Sequence, residues 1–335
     1  ADRRVGGRAA LCDMAGAMSV KRGQMHANAV VICCDENYLP ISCFLADQIA
    51  NQSPDRNFDI LIASPETLPL PAALREKGVA FLHMETGEEL VGLKSSHLPH
   101  STYLRLWLPD LLADRYARVL YLDADMYLEG GSLSDLFAVE MFGRPVAAVR
   151  DMQQWQRPNK HMREFRVAGL EPAAYFNGGL ELFDTRSYRD NGILDACLRY
   201  GKSHPDALFH HDQSLLNIVL HKNWTELSPM WNWQYAAKRP LFGCSLPLQI
   251  SHMAGALKPW SDPRGICPPR YWAQMQPYIA RHFPDWPLIG PIAPHEHRLR
   301  RRFLHNAVEH LHITPVMNRY IGRFDTALRT FAVGA

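Results

Sequence analysis

Four unbroken apolar runs near the start of the chain limit its fold more than any other feature. They lie in "NAVVICCDENY" (Asn28–Tyr38), "NFDILIAS", "VAFLHM" and "RVLYLDAD". None shows the alternation of a half-solvated strand, so each reads as a strand buried on both faces. The segments between them carry helical spacing. In "PISCFLADQIANQ", Ile41, Phe44, Leu45 and Ile49 share a face, and Pro40 suits a first turn. "PAALREKG" reads as a helix stopped by Gly78. "STYLRLWLPDLL" places Leu104, Trp107, Leu108 and Leu111 on one stripe. This alternation predicts an α/β fold with a mostly parallel, doubly wound central sheet flanked by helices. Ligands of such sheets bind beyond the carboxyl ends of the strands. Both "CCDEN" and "LDAD" leave a strand at that edge.

The chain has 335 residues, enough for one large α/β domain with an appendage. A net charge of +2 gives no reason to expect a nucleic-acid partner. No apolar stretch reaches the roughly 18 residues that a membrane span needs. Asp13 interrupts the N-terminal stretch, which argues against a signal peptide; residues 1–27 read as a mobile tail, with Met25 nearer a natural start. Seven cysteines without CxxC spacing fit a reducing compartment and no zinc site. Cys33, Cys34 and Cys43 sit in apolar settings, as small core residues do.

Asp123 and Asp125 follow a strand, with only Ala124 between them. Residues i and i+2 of an extended chain point the same way, so both carboxylates can face one hard cation such as Mg2+ or Mn2+. Taken alone they could equally be solvated at a strand end. His252, in "ISHMAGALKPW", follows a short apolar strand; an imidazole beside two carboxylates moves the preference toward Mn2+. Gly255 allows close backbone approach to a phosphate, and Lys258 adds a point charge. Asn177 in "YFNGG" is a polar residue in an apolar strand, which a bound ligand or a β-bulge would explain. In "HHDQS", Asp212 and Gln213 precede an apolar helix, where Asp212 could be an N-cap.

These segments, in this order over about residues 28–262, resemble family 8 of the glycosyltransferases, which includes bacterial lipooligosaccharide galactosyltransferases and glycogenin. The resemblance implies a GT-A fold and retaining transfer of a hexose, galactose or glucose, from a UDP-sugar with Mn2+, or Mg2+ as the alternative ion. By position, Asp123, Asp125 and His252 would hold the metal. Asp35 would meet the uracil and Asn37 the ribose, with backbone near Cys33 shaping the base pocket and Ala124 beside the donor. Arg105, Asn177, Gly178, Asp212 and Gln213 would surround the donor sugar; Gly255 and Lys258 would contact the diphosphate. His97 falls where the family has a closing loop. Gln213, Asp212 and Lys258 are the catalytic candidates. Where the galactosyltransferase branch has a second acid after the Asp-Gln pair, this chain has Ser214, which disfavours a mechanism using that acid as nucleophile. Two alternatives remain: a sugar-nucleotide or glycan-binding module without turnover, and a phosphatase that also ends a strand in Asp-x-Asp.

The composition changes after Trp286, and a boundary is expected near residue 290. That gives a catalytic domain over 28–290 and a basic segment over 291–335. From Arg298 onward seven arginines face Glu309 and Asp325. Leu299, Phe303, Leu304, Val308 and Leu311 recur at helical spacing, as do Tyr320, Ile321, Phe324, Leu328 and Phe331 after Pro315. Two basic amphipathic helices are expected, either packed on the catalytic domain with their arginines solvated or, as the preferred reading, lying on an anionic membrane surface. The resulting picture is a cytoplasmic enzyme, peripheral on the inner face of a bacterial membrane, serving a lipid-linked glycan such as a lipopolysaccharide core.

Overall fold

The computed structural model describes residues 26–84, 93, 100–235, 243, 246–291 and 296–334. Apart from residues 26 and 27, the expected N-terminal tail lies outside the described residues, as does His97. In chain order the elements that build the site are β1 (Asn28–Cys33), α1 (Leu39–Gln52), β2 (Phe58–Ser64), β3 (Val79–His83), α2 (Leu108–Leu112), β4 (Arg118–Leu122), β5 (Met126–Leu128), β6 (Val146–Arg150), α3 (Arg163–Val167) and β7 (Phe176–Asp184). They continue with α4 (His211–Val219), β8 (Thr225–Leu227), β9 (Trp233–Gln234), β10 (Ile250–His252), α5 (Pro269–His282), α6 (Glu296–Ile321) and β11 (Phe331–Ala332).

Eight strands form one sheet in the order β11-β8-β6-β7-β4-β1-β2-β3. The four predicted apolar runs are β1 to β4, and all three pairings among them are parallel. Successive residues of β1 enter opposite layers. Val30 and Ile32 join a cluster with Phe44 and Ile49 of α1 and Ile279 of α5; Ala29 and Val31 join Leu108 and Leu112 of α2 and Leu215 of α4. Covering both faces is what an unbroken apolar run requires. The other half of the sheet is mixed: β7 is antiparallel to both β4 and β6, β6 is parallel to β8, and β11 is antiparallel to β8. A second sheet, β5-β10-β9, lies beside the end of β4.

The "STYLRLWLPDLL" segment is not one helix. A 3-10 helix over His100–Leu106 precedes α2, and this tighter winding buries Arg105 with Tyr103 and Leu104.

The C-terminal expectation needs a larger correction. One helix, α6, continues through Pro315, and beside it the Thr314 hydroxyl donates to the His310 carbonyl at 2.6 Å. The apolar residues after Pro315 do not form a second helix. Met317, Tyr320 and Phe324 are buried in the main core, Trp231 donates its indole N–H to the Ala327 carbonyl at 2.7 Å, and Phe331 pairs with Glu226 in the sheet. Periodicity alone does not separate an amphipathic helix from a turn and an edge strand that bury the same residues. The chain from Met317 onward therefore packs into the main core and the sheet, and a cut near residue 294 would remove a strand.

Candidate functional site

β1 has β2 on one side and β4 on the other, so the direction of winding reverses there, and a crevice forms at the strands' carboxyl ends. β7 runs the opposite way and brings its first residues to the same edge; the Asp123 N–H donates to the Gly179 carbonyl at 2.8 Å. The cavity at this edge has a volume of about 530 Å3 and is lined by residues from β1, β4, β7, β10 and the loops that follow them. That lies within the range of roughly 300–1,000 Å3 typical of small-ligand sites.

Three groups converge in it. Asp123, Asp125 and His252 offer ligand atoms that all lie within 4.8 Å of one another. His252 Nε2 is 3.6 Å from Asp123 Oδ2 and 3.3 Å from Asp125 Oδ1. The short β10 places the imidazole there, because its pairing with β5 sets His252 opposite Met126, the residue after Asp125. The ring's other nitrogen, Nδ1, meets Asn232 Oδ1 at 3.0 Å, and Asn232 donates to Asn177 Oδ1 at 2.9 Å. With Nδ1 donating to an amide oxygen, Nε2 carries the lone pair a metal needs. Gly179 makes room for the ring: a Cβ there would lie 2.3 Å from His252 Cε1. The donor set of two carboxylates and one imidazole, held by a second layer of hydrogen bonds, fits a divalent cation.

The remaining oxygens of the two carboxylates are engaged. Asp123 Oδ1 accepts from Tyr121 at 2.6 Å and from Arg105 at 2.8 Å. Lys258 pairs with Asp125 Oδ2 and donates to the Met253 carbonyl at 2.8 Å. Burial pushes the Asp125 carboxyl up, but the imidazole of His252 and the Lys258 ammonium outweigh it and hold the group below the usual carboxylate range. Arg105 is buried and bridges outward: its Nε meets Asp212 Oδ2 at 2.6 Å, a second nitrogen donates to the Gly178 carbonyl, and the guanidinium stacks 4.1 Å above the Tyr121 ring. Burial opposes its charge, yet Asp123 and Asp212 win and raise its pKa further. Burial raises the Asp212 carboxyl despite Arg105.

Most of the site residues expected from sequence meet around this cavity. Cys33, Asp35, Arg105, Asp123, Ala124, Asp125, Asn177, His252, Gly255 and Lys258 line it. Gly178, Asp212 and Gln213 stand just behind: Gln213 Oε1 accepts from the Gly178 N–H at 2.8 Å and from the Asn177 amide at 3.3 Å. Gly255 has φ +90°, the left-handed region that glycine adopts without strain. Asn37 is the exception. It is exposed and absent from the lining, and its carbonyl takes the Trp286 indole N–H at 3.0 Å. Tyr38 lines the cavity in its place, held by its N–H to Asp35 Oδ1 at 3.0 Å. Sequence reasoning missed Tyr38, Tyr121, Asn232, Gly179 and His210. The doubled glycine was a signal for Gly179; Asn232 sits in a Trp-rich stretch with none.

The sequence model of Glycosyl transferase family 8 matches residues 29–263. General stress protein A of Bacillus subtilis is 29% identical over 257 residues, spanning 70% of this chain and 87% of that protein. The lipopolysaccharide 1,3-galactosyltransferase of Salmonella typhimurium is 26% identical over 253 residues, 72% of each chain. The crystal structure of galactosyltransferase LgtC in complex with donor and acceptor sugar analogues superposes with a TM-score of 0.62 at 20% identity, covering 81% of this chain and 99% of that one, which is a likeness of fold. The match across the whole cavity-forming region and the GT-A architecture around it lead to one assignment: the chain belongs to glycosyltransferase family 8.

Proposed function

We propose that this glycosyltransferase moves galactose or glucose from a UDP-sugar to a glycan acceptor, with retention and with a divalent cation, Mn2+ before Mg2+. The observation that carries the reading is the convergence of Asp123, Asp125 and His252 in a cavity at the sheet's switch point. A cation held by these three would offset the negative charge that develops on the departing diphosphate. Lys258 adds a second positive charge on the same side, and Gly255 leaves backbone room for a phosphate. Asp35 and Tyr38 offer a carboxylate and a ring to the base. Asp212 is committed to Arg105 inside the protein, which disfavours it as a nucleophile. Gln213, fixed by Gly178 and Asn177, is suited to stabilise an oxocarbenium-like centre during front-face attack. Family membership leaves no place for the phosphatase reading. The test is incubation with UDP-galactose and UDP-glucose plus Mn2+, following UDP release and the anomeric configuration of the product by NMR. UDP that binds without turnover of any UDP-sugar would instead support a binding module.

The acceptor we propose is lipid-linked, such as a lipopolysaccharide core reached at the inner face of a bacterial membrane. Support comes from α6. Leu304, Val308 and Leu311, one helical face, are 66%, 66% and 73% exposed, and the same helix begins in a run of arginines. Such a face suits an anionic surface, with about 1 kcal/mol per nearby arginine, screened by salt. None of the helices searched among the described residues is long and apolar enough to cross a membrane. Replacing Leu304, Val308 and Leu311 by Glu should abolish cosedimentation with phosphatidylglycerol vesicles at low salt. Full-length protein that ignores such vesicles refutes the membrane reading.

A further inference from the structure

The short turn that follows β1 is held from two sides. It is a single 3-10 turn over Glu36–Tyr38, and Tyr38 lines the cavity while 40% exposed. On the β1–β2 side, the Tyr38 N–H donates to Asp35 Oδ1, the Glu36 N–H to Glu66 Oε2 at 3.1 Å, and the Ser42 hydroxyl to the Tyr38 carbonyl at 3.0 Å. From the other side comes the indole N–H of Trp286, which meets the Asn37 carbonyl at 3.0 Å. Trp286 is half-buried and stands in the loop after α5, beyond residue 263, where the family match ends. That loop is itself tied to the segment carrying Lys258. The Ile289 N–H donates to the Trp260 carbonyl at 3.0 Å, and the Asp262 N–H donates to the Ile289 carbonyl at 3.2 Å. The rings extend the tie. The Trp260 centroid is 6.2 Å from that of Trp286 and, edge-on, 6.1 Å from that of Tyr38; Lys258 Nζ lies 5.9 Å from the Trp260 ring centre.

Ring edges in contact set a separation only loosely, whereas an N–H donated to a carbonyl also sets a direction. We infer that Trp286 is a positioning residue for the donor: its indole N–H fixes the Asp35–Tyr38 turn relative to Lys258, so that base and diphosphate of one nucleotide are gripped together. The inference rests on the UDP-sugar reading above, in which Asp35 and Tyr38 take the base and Lys258 the diphosphate. Without that bond the turn keeps its ties to β1 and β2 but loses its directed tie to the diphosphate side. Each nucleotide that binds must then order the turn, which costs affinity. Trp286 acts at the base, away from the bond that breaks, so the loss falls equally on ground and transition states. It should appear in KM and not in kcat.

The experiment uses the full chain and two ligands, UDP and inorganic pyrophosphate, with binding measured by calorimetry in Mg2+. Pyrophosphate offers the metal side its diphosphate and has no base, so its affinity reports whether that side is intact. Trp286→Phe keeps a ring against Trp260 and removes the N–H. It should weaken UDP about 3–10-fold and leave pyrophosphate unchanged. With Mn2+ and UDP-galactose or UDP-glucose, KM for hydrolysis of the donor should rise by a similar factor at constant kcat. A purely structural role would not separate the two ligands in this way. If Trp286→Phe keeps the wild-type ratio of UDP to pyrophosphate affinity, whether both are retained or both are lost, the role of Trp286 is overturned while the transferase reading stands. A wild-type protein that binds pyrophosphate but not UDP overturns both.

Discussion

The two halves of the central sheet serve the site in different ways. The parallel half, β3-β2-β1-β4, ends in loops that present charged side chains: Asp35 after β1, and Asp123 and Asp125 after β4. The antiparallel strand β7 contributes shape and backbone. Gly179 clears space for His252, and Gly178 gives its N–H to Gln213 and its carbonyl to Arg105. A parallel strand delivers its following loop to the ligand edge, whereas β7 arrives there with its own first residues, and at Gly179 too close to His252 for a Cβ. The parallel half should therefore be sensitive to loss of charge, and β7 to added volume.

The largest effect is expected on the parallel side. Asp125→Asn keeps the shape and removes a charge from the proposed metal site. Its oxygens are set between His252 and Lys258, so a neutral amide should abolish transfer, a loss of about 10³-fold or more, with Mn2+ affinity lost in parallel. Near-normal Mn2+ titration and turnover would show that the carboxylate's partner is Lys258 alone.

Next comes the reciprocal test in β7. Gly179→Ala adds no charge, yet its Cβ would stand 2.3 Å from His252 Cε1 and 2.6 Å from Nδ1. The ring must move, and its hydrogen bond to Asn232 with it. Disturbing such a support costs metal affinity about 10–100-fold. Circular dichroism should show an intact fold. An alanine variant with unchanged Mn2+ affinity would place the metal away from His252.

Asp35→Ala should be milder. A charged hydrogen bond to the base is worth about 1.5–3 kcal/mol, so UDP binding should weaken by roughly one to two orders of magnitude. Part of that loss would come from the 3-10 turn that Asp35 caps, which also positions Tyr38. Comparison with Asp35→Asn, which keeps a cap acceptor, separates the two. Equal UDP affinity in all three proteins would put the base elsewhere.

The same contrast explains what could be read in the sequence. β1 to β4 were legible because burial on both faces leaves an apolar run with no other use. Asp123, Asp125 and His252 were legible only through the order of the segments that hold them, since a solvated strand end explains each alone equally well. β7 was visible only through its Asn-Gly-Gly, since strand direction leaves no mark on composition. The pairing of β11 with β8 was hidden because Tyr320, Phe324 and Phe331 have a spacing that a helix would share. The Glu164–His210 contact joins residues 46 positions apart and has no local signature.

The smallest effect on turnover, and the sharpest test of the β7 side, concerns Glu181. It lies mid-strand, opposite Tyr121 of β4 and Ala148 of β6, and is fully buried. Neither carboxyl oxygen has a hydrogen-bond partner. Burial drives its pKa well above the ordinary carboxyl value, against the pull of Arg105, which is already paired with Asp123 and Asp212. The folded protein therefore keeps the proton that the unfolded chain releases above about pH 4.3. Above that pH the unfolded state binds fewer protons than the folded one, so stability falls as pH rises, by about 1.4 kcal/mol per unit until the folded pKa is reached. A leucine of similar volume removes both the unpaired group and the titration. Glu181→Leu should stabilise the protein by about 1–3 kcal/mol near pH 5, and by more near pH 8. Thermal melts at the two pH values measure the difference. A variant less stable than wild type, or a gap that does not widen with pH, would mean that Glu181 is ionised against Arg105 and that the β7 side depends on charge after all.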